Sequence, residues 1–224
     1  MSTNDSRTET RQVSDFDRVA LTGLGELIIQ QGDVESLTID APPEILNRIK
    51  TEVIDGKLVI RVSRHWLDWI GDVLTAGFTG MRVRYNLTVK RLSGLRITGA
   101  ARVKVGNIET DSLTLDLRGA GEVMIESLDA EQLDVDLPGA GKIRVAGRVT
   151  EQKITLSGAG SYTARKLESQ KARVTLEGLG SATVWAVDEL DVAIRGVGTV
   201  SYYGSPKVSK EIAGPGSINS LGNP

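Results

Sequence analysis

A three-residue unit, Gly-X-Gly, returns about every twenty residues through the second half of the chain, and it restricts the fold more than any other feature. It stands at Gly119-Ala120-Gly121, Gly139-Ala140-Gly141, Gly158-Ala159-Gly160, Gly178-Leu179-Gly180, Gly196-Val197-Gly198 and Gly214-Pro215-Gly216. One period earlier, Gly99-Ala100-Ala101 has the same form with Ala in place of the second glycine. From Gly99 onward the first glycines are 20, 20, 19, 20, 18 and 18 residues apart. Such a period marks an architecture of stacked units, none of which can bury its apolar side alone.

The residues around each unit alternate between apolar and polar. Ile97, Leu117, Leu137, Leu156, Leu176, Ile194 and Ile212 lie two before the first glycine, and Leu95, Leu115, Val135, Ile154, Val174 and Val192 lie four before it. After the glycines come Val103, Val123, Ile143, Tyr162, Ala182, Val200 and Ile218, then Val105, Ile125, Val145, Ala164, Val184 and Tyr202. A period of two means strand. Ile108, Leu128, Leu167 and Val187 supply a third apolar side in several units. Twenty residues leave no room for a crossover helix between parallel strands, so the chain is expected to coil. Successive rungs then lie about 4.8 Å apart with their apolar columns fused into one interior.

Residues 91–221 are therefore predicted to form a parallel β-helix, or solenoid, of six to seven rungs in an all-β protein. The glycines fall where the chain must bend and where a side chain would strike the neighbouring rung. A phosphate-binding reading of the glycines fails, because no unit has the third glycine or the following helix of a dinucleotide site.

Residues 16–90 are predicted to be a β module. Gly23-Leu24-Gly25 repeats the unit once, VESLTID reads as a strand, Pro42-Pro43 opens a short helical segment, and TEVIDGKLVIRV reads as a hairpin turning at Asp55-Gly56. Residues 1–15 are almost without apolar side chains and are expected to be a mobile tail. They carry no secretory leader in the chain as it stands. No apolar run is long enough for a transmembrane helix.

The order "ALTGLGELIIQQGDVESLTID", "TEVIDGKLVI", "LTVKRLSGLRITGAARVKV", then "LDLRGAGEV", "LPGAGKI", "LSGAGS" and "GVGTVSYYGSP" resembles the putative auto-transporter adhesin head GIN domain family over residues 16–221. The resemblance implies a right-handed parallel β-helix in bacterial proteins that are exported or attached to the envelope. It brings no catalytic residues with it. A cell-envelope or secreted location follows from the resemblance, with the cytoplasm as the alternative.

Composition narrows the chemistry further. Lys and Arg total 27 against 29 Asp and Glu, a net charge of −2, so neither nucleic acid nor an anionic membrane is an expected partner. Cysteine is absent, and His65 is the only histidine, which excludes disulfides, thiolate catalysis and multi-histidine metal sites. No cofactor is expected. With the core columns fixed, function falls to the outward positions. In the early rungs these are Arg102, Lys104, Glu122, Met124, Lys142 and Arg144; from residue 161 they become Ser161, Thr163, Ser181, Thr183, Thr199, Ser201, Ser217 and Asn219. Ser161, Thr163, Ser181, Thr183, Thr199 and Ser201 are the candidate ligand-binding lattice, suited to a glycan, a surface polymer or a second copy of the chain. Thr is also enriched on exposed strands for reasons of propensity alone.

Asp116, Asp134 and Asp136 are the only candidate metal cluster. Stacked carboxylates require compensation, and Arg96 and Lys153 are the candidates to supply it, with Ca²⁺ the alternative. The segment 64–80, HWLDWIGDVLTAGF and its flanks, interrupts the β pattern. Trp66, Trp69, Ile70, Val73 and Leu74 fall on one face at helical spacing, either capping the solenoid or forming an interface in a homo-oligomer. The leading functional expectation is a non-enzymatic binding or adhesion module. A self-assembling structural scaffold is the second, and a polysaccharide-active enzyme the third.

Overall fold

The computed structural model describes residues 6–62 and 83–224. The segment holding His65, Trp66, Trp69, Ile70, Val73 and Leu74 lies outside the described residues. Five long strands, β7 (Gly94–Leu117), β8 (Glu122–Leu137), β9 (Lys142–Leu156), β10 (Ser161–Leu176) and β11 (Leu179–Ile194), stack in parallel in chain order. The next turn is split between β12 (Val197–Tyr203) and β13 (Lys207–Ile212), both parallel to β11, and β14 (Gly216–Ser220) begins another beside β12. The result is a parallel β-solenoid of about six turns.

The corner glycines are required by the stacking distance. A Cβ on Gly119 would land on the carbonyl oxygen of Gly99, one on Gly139 on that of Gly119, and so on through Gly214 and Gly196. Each rung can hydrogen-bond to the last only if the corner carries no side chain: Ala120 N donates to Gly99 O at 3.0 Å and Ala140 N to Gly119 O at 3.1 Å. Within the rungs the apolar columns point inward, and Leu117, Leu137, Leu156, Leu176 and Ile194 are fully buried. Two column members depart from expectation. Val187 is exposed, because register shifts between β10 and β11 set Trp185 beside Glu168 and the buried Ala186 beside Ser169, which takes residue 187 out of the column of Leu167. Ile212 is 45% exposed, since among the described residues no strand stacks on the far side of β13.

The N-terminal half is built onto the same stack. β2 (Arg18–Gln31) pairs in parallel with β7, matching Gly23 to Gly99 and Gly25 to Ala101, so the first Gly-X-Gly is a rung of the solenoid. On its other side β5 (Lys57–Val62) runs beside residues 18–22 and β6 (Arg84–Val89) beside residues 26–31. Antiparallel strands then end the parallel order: β4 (Ile49–Ile54) on β5, and β3 (Ser36–Ala41) on β6. The hairpin turns at Asp55 and Gly56, both at positive φ (49° and 70°), as an Asp-Gly type I′ turn demands. The helical segment is a single turn, α1 (Pro43–Leu46). Residues 7–11, expected within a mobile tail, instead form β1 (Arg7–Arg11), antiparallel to β3. Backbone pairing with an exposed edge supplies what this segment lacks in apolar side chains.

Candidate functional site

The outward hydroxyl residues come together as the repeat predicts. Ser161 is in register with Ser181, Ser181 with Thr199, and Thr199 with Ser217; Thr163 is in register with Thr183, Thr183 with Ser201, and Ser201 with Asn219. They form two adjacent columns on one side of the solenoid, and Thr199 Oγ1 lies 3.2 Å from Ser217 Oγ.

The structure adds two flanking columns that the sequence reading passed over. On the corner side, Leu179 and Val197 are paired and stand 60% and 46% exposed, followed by exposed Pro215 in the next rung. On the far side, Trp185 is paired with Tyr203. The neighbours of Trp185, Val184 and Ala186, are fully buried, and alternation therefore turns the indole outward. Tyr202 packs on the core, which turns Tyr203 outward by the same rule. Extending the alternation by one more step, from 181 and 183 to 185 and from 199 and 201 to 203, would have found both aromatics. Across the last three rungs the outward positions read Leu-Ser-Thr-Trp, Val-Thr-Ser-Tyr and Pro-Ser-Asn-Leu, without a charge.

Charge reappears where this face ends. Thr163 is in register with Arg144, and Arg144, Arg165 and Lys166 line the groove beside it. In the rungs before, Glu122 pairs with both Arg102 and Arg144.

A chain of buried polar groups runs beneath the aromatic column. Tyr162 Oη donates to Gln152 Oε1 at 3.0 Å, Gln152 Nε2 donates to Ser169 Oγ at 2.9 Å, and Ser169 Oγ donates to the carbonyl of Trp185 at 2.7 Å. Gln152 replaces an aliphatic residue in a column otherwise made of Leu113, Leu133, Ala172 and Leu190. The chain satisfies each buried polar side chain it contains and ties down the main chain of β11 near its register shift. Burial pushes the Tyr162 phenol well above its ordinary range.

The acidic candidates do not converge. Asp116 and Asp136 are in register one rung apart. Asp116 is 7% exposed, because Arg96 Nε at 2.8 Å and Arg118 Nε at 2.9 Å close over its carboxylate. Arg96 is the expected partner; Arg118, just past the end of β7, is an addition that the repeat pattern does not announce. Asp134 accepts from Gln132 Nε2 at 3.0 Å and stands in register with Lys153. Among the described residues no group of three His, Cys, Asp or Glu is placed to hold a metal ion.

The open end of the solenoid carries its own signature. Lys210 is in register with Val192 and so occupies the column of Leu95, Leu115, Val135, Ile154 and Val174. A lysine at an inward position of a terminal strand blunts that edge against pairing with another sheet. Among the described residues no helix is long and apolar enough to cross a membrane.

The fold is shared with solved bacterial proteins. A putative adhesin from Bacteroides fragilis superposes with a TM-score of 0.88 at 24% identity, covering 98% of each chain. A protein described as a putative lipid binding protein, from Parabacteroides distasonis, gives 0.72 at 22% identity over 97% of each chain. A putative adhesin from Parabacteroides merdae gives 0.66 at 17% identity over 96% of each. No functionally curated protein matches the chain. The family described as putative auto-transporter adhesin, head GIN domain, matches residues 15–206, and the chain belongs to that family.

Proposed function

We propose that this protein is a non-enzymatic adhesion module of the bacterial envelope that holds an uncharged surface polymer, a glycan in the first instance, on the hydroxyl columns of its last rungs. The observation that carries this reading is the change in outward chemistry along one scaffold. On this face the early rungs present paired charges and the last three present none, the charges of those late rungs, such as Arg173 with Asp191 and Arg195 with Glu211, lying at other positions of the strands. Hydroxyl and apolar side chains cost far less to strip of water than charges do. A flat array of them on a rigid stack suits a broad, repeating partner. Asp116, a buried residue, holds its carboxylate between two guanidinium groups, which supports a binding role over acid–base chemistry. Lys210 at the terminal edge weighs against growth by end-to-end strand pairing.

The test is Thr163→Lys combined with Thr183→Lys, which places two cations in the lattice without touching the core. Sedimentation of the full chain with insoluble neutral polysaccharides should show retention of the wild type and loss of at least tenfold in the double variant, at an unchanged melting temperature. Equal retention of both proteins would make this face mere solvated surface. Disappearance of the protein from the envelope fraction of native cells would remove the envelope assignment.

A further inference from the structure

Trp185 and Tyr203 are the two aromatics on the uncharged face. They are neighbours in register on successive rungs, and alternation turns both half-buried side chains outward. Two features fix the tryptophan. Its carbonyl accepts from Ser169 Oγ at the end of the buried chain. Its Cδ1 lies against Gly204, where a Cβ would come within 3.4 Å of it and would land on the carbonyl oxygen of Ala186. Gly204 stands at φ +94°, a conformation that only glycine adopts without strain. The main chain that carries the indole is held by Ser169, a buried group that does not itself face the ligand side.

An outward aromatic pair beside hydroxyl columns has a specific chemical complement. The negative face of an aromatic ring attracts polarised C–H bonds. A pyranose with equatorial hydroxyls presents C–H bonds on its ring face and hydroxyls around its rim. Rungs recur about every 4.8 Å, close to the advance of one residue in an extended β-linked pyranose chain. The rungs of Trp185 and Tyr203 would therefore each offer one sugar an aromatic face and, two residues back along the strand and about 7 Å away, a hydroxyl partner, Thr183 or Ser201.

We propose that Trp185 and Tyr203 form a stacking platform for a neutral, extended β-linked polysaccharide running along the solenoid axis, one pyranose per rung. This rests on the reading of the uncharged face as the binding surface. Across the outward positions 179–185, 197–203 and 215–221 no side chain is charged, and the column of Trp185 ends on its in-register neighbour Glu168, a carboxylate paired with Arg148. Both features favour a neutral polymer, since an anionic one would meet Glu168 and would gain more beside Arg144, Arg165 and Lys166.

Sedimentation of the full chain with microcrystalline cellulose, insoluble xylan and chitin tests the proposal, with cross-linked polygalacturonate and protein-coated beads as contrasts. Retention by at least one of the three neutral polymers is expected. Trp185→Leu and Tyr203→Leu, which keep apolar bulk but lose the ring, should each weaken it tenfold or more, and Trp185→Phe should recover part of the loss. If both Leu variants bind like wild type while Thr163→Lys/Thr183→Lys does not, the platform is overturned and the hydroxyl face stands. If the lysine variant also binds unchanged, the face itself fails. Retention only by polygalacturonate or by protein, or by nothing, overturns the neutral-sugar assignment.

Discussion

The N-terminal module and the repeat stack bury the same kinds of side chain but hold their register by different means. In the stack, one contact recurs at every turn: a bare glycine corner passes against the corner of the preceding rung. In the module, each pairing is set once, by the Asp55-Gly56 turn or by antiparallel matches such as Ile39 opposite Tyr85. A repeated device ties each rung to both neighbours, so an error there spreads. An error in a single turn stays local.

Gly139→Val breaks that comparison most sharply. Its Cβ would fall on the Gly119 carbonyl oxygen and 2.9 Å from the Leu117 carbonyl oxygen, both rigid backbone. The rungs must separate, and a loss of more than about 4 kcal/mol is expected, enough to abolish cooperative folding. Gly56→Ala meets only the ends of two side chains, Arg18 at 3.4 Å and Asp17 at 3.7 Å, and costs about 1–2 kcal/mol for the left-handed backbone alone. Urea unfolding of both variants is the measurement. Equal losses would mean the corners are not what holds the stack.

Apolar burial, by contrast, should count alike in both regions. Leu137 in β8 and Leu58 in β5 are equally inaccessible to solvent, and truncation of either to Ala should cost about 2–5 kcal/mol. A far smaller cost for Leu58 in the same denaturation experiment would show that the module is loosely packed and that burial, too, separates the regions.

The stack was legible in the sequence because its rule is local and repeated. Glycine spacing gave the corners, and alternation gave the columns from Leu95 to Val200. The exceptions are positions where the rule is broken once. Val187 leaves its column because the register slips by a few residues, and no single unit announces a slip. Lys210 and Gln152 occupy inward positions that alternation assigns to aliphatic residues, one because the edge must be blunted and the other because Tyr162 and Ser169 are there to bond it. Residues 7–11 become a strand through an edge offered by β3, which lies far along the chain. The hydroxyl columns were readable for the same reason as the core, whereas Trp185 and Tyr203 stand one step beyond the motif.

The two regions each bury one tyrosine, and the pair sharpens the comparison at lower energy. Tyr162 donates to Gln152, whereas the Tyr85 hydroxyl has no partner among the described residues. Tyr162→Phe leaves the buried Gln152 oxygen without its donor and should cost about 1–3 kcal/mol. Tyr85→Phe should be neutral or stabilising. Burial raises the pKa of both phenols, so their contribution is fully present below the ordinary phenol value near 10. It is lost as pH rises above that value, because the unfolded chain ionises first. Each Phe variant should make the fall of stability above pH 10 shallower than in the wild type. An unchanged slope in both would show that other groups govern it.

The smallest effect lies at the seam between the regions. Glu26 in β2 reaches Lys104 Nζ of the stack at 2.8 Å with one carboxylate oxygen and Arg84 Nε of the module at 3.2 Å with the other. The hydrogen bond from Lys104 is the main cause that holds its pKa below the usual carboxylate value, with Arg84 adding to it. A carboxylate whose folded pKa is depressed stabilises the fold above its unfolded value, near 4.3. That contribution disappears as pH falls through the folded value. Both partners are about half exposed, so the contribution should be under about 1 kcal/mol and should shrink in high salt. Glu26→Gln should therefore lower the neutral-pH melting temperature slightly and flatten its fall below pH 4, while Glu122→Gln, confined to the stack, should leave the pairing of module and stack untouched. Amide hydrogen exchange along β6 distinguishes them: faster exchange at residues 84–89 in Glu26→Gln alone places the carboxylate between the two regions, and equal exchange in both variants would reduce it to one more surface ion pair.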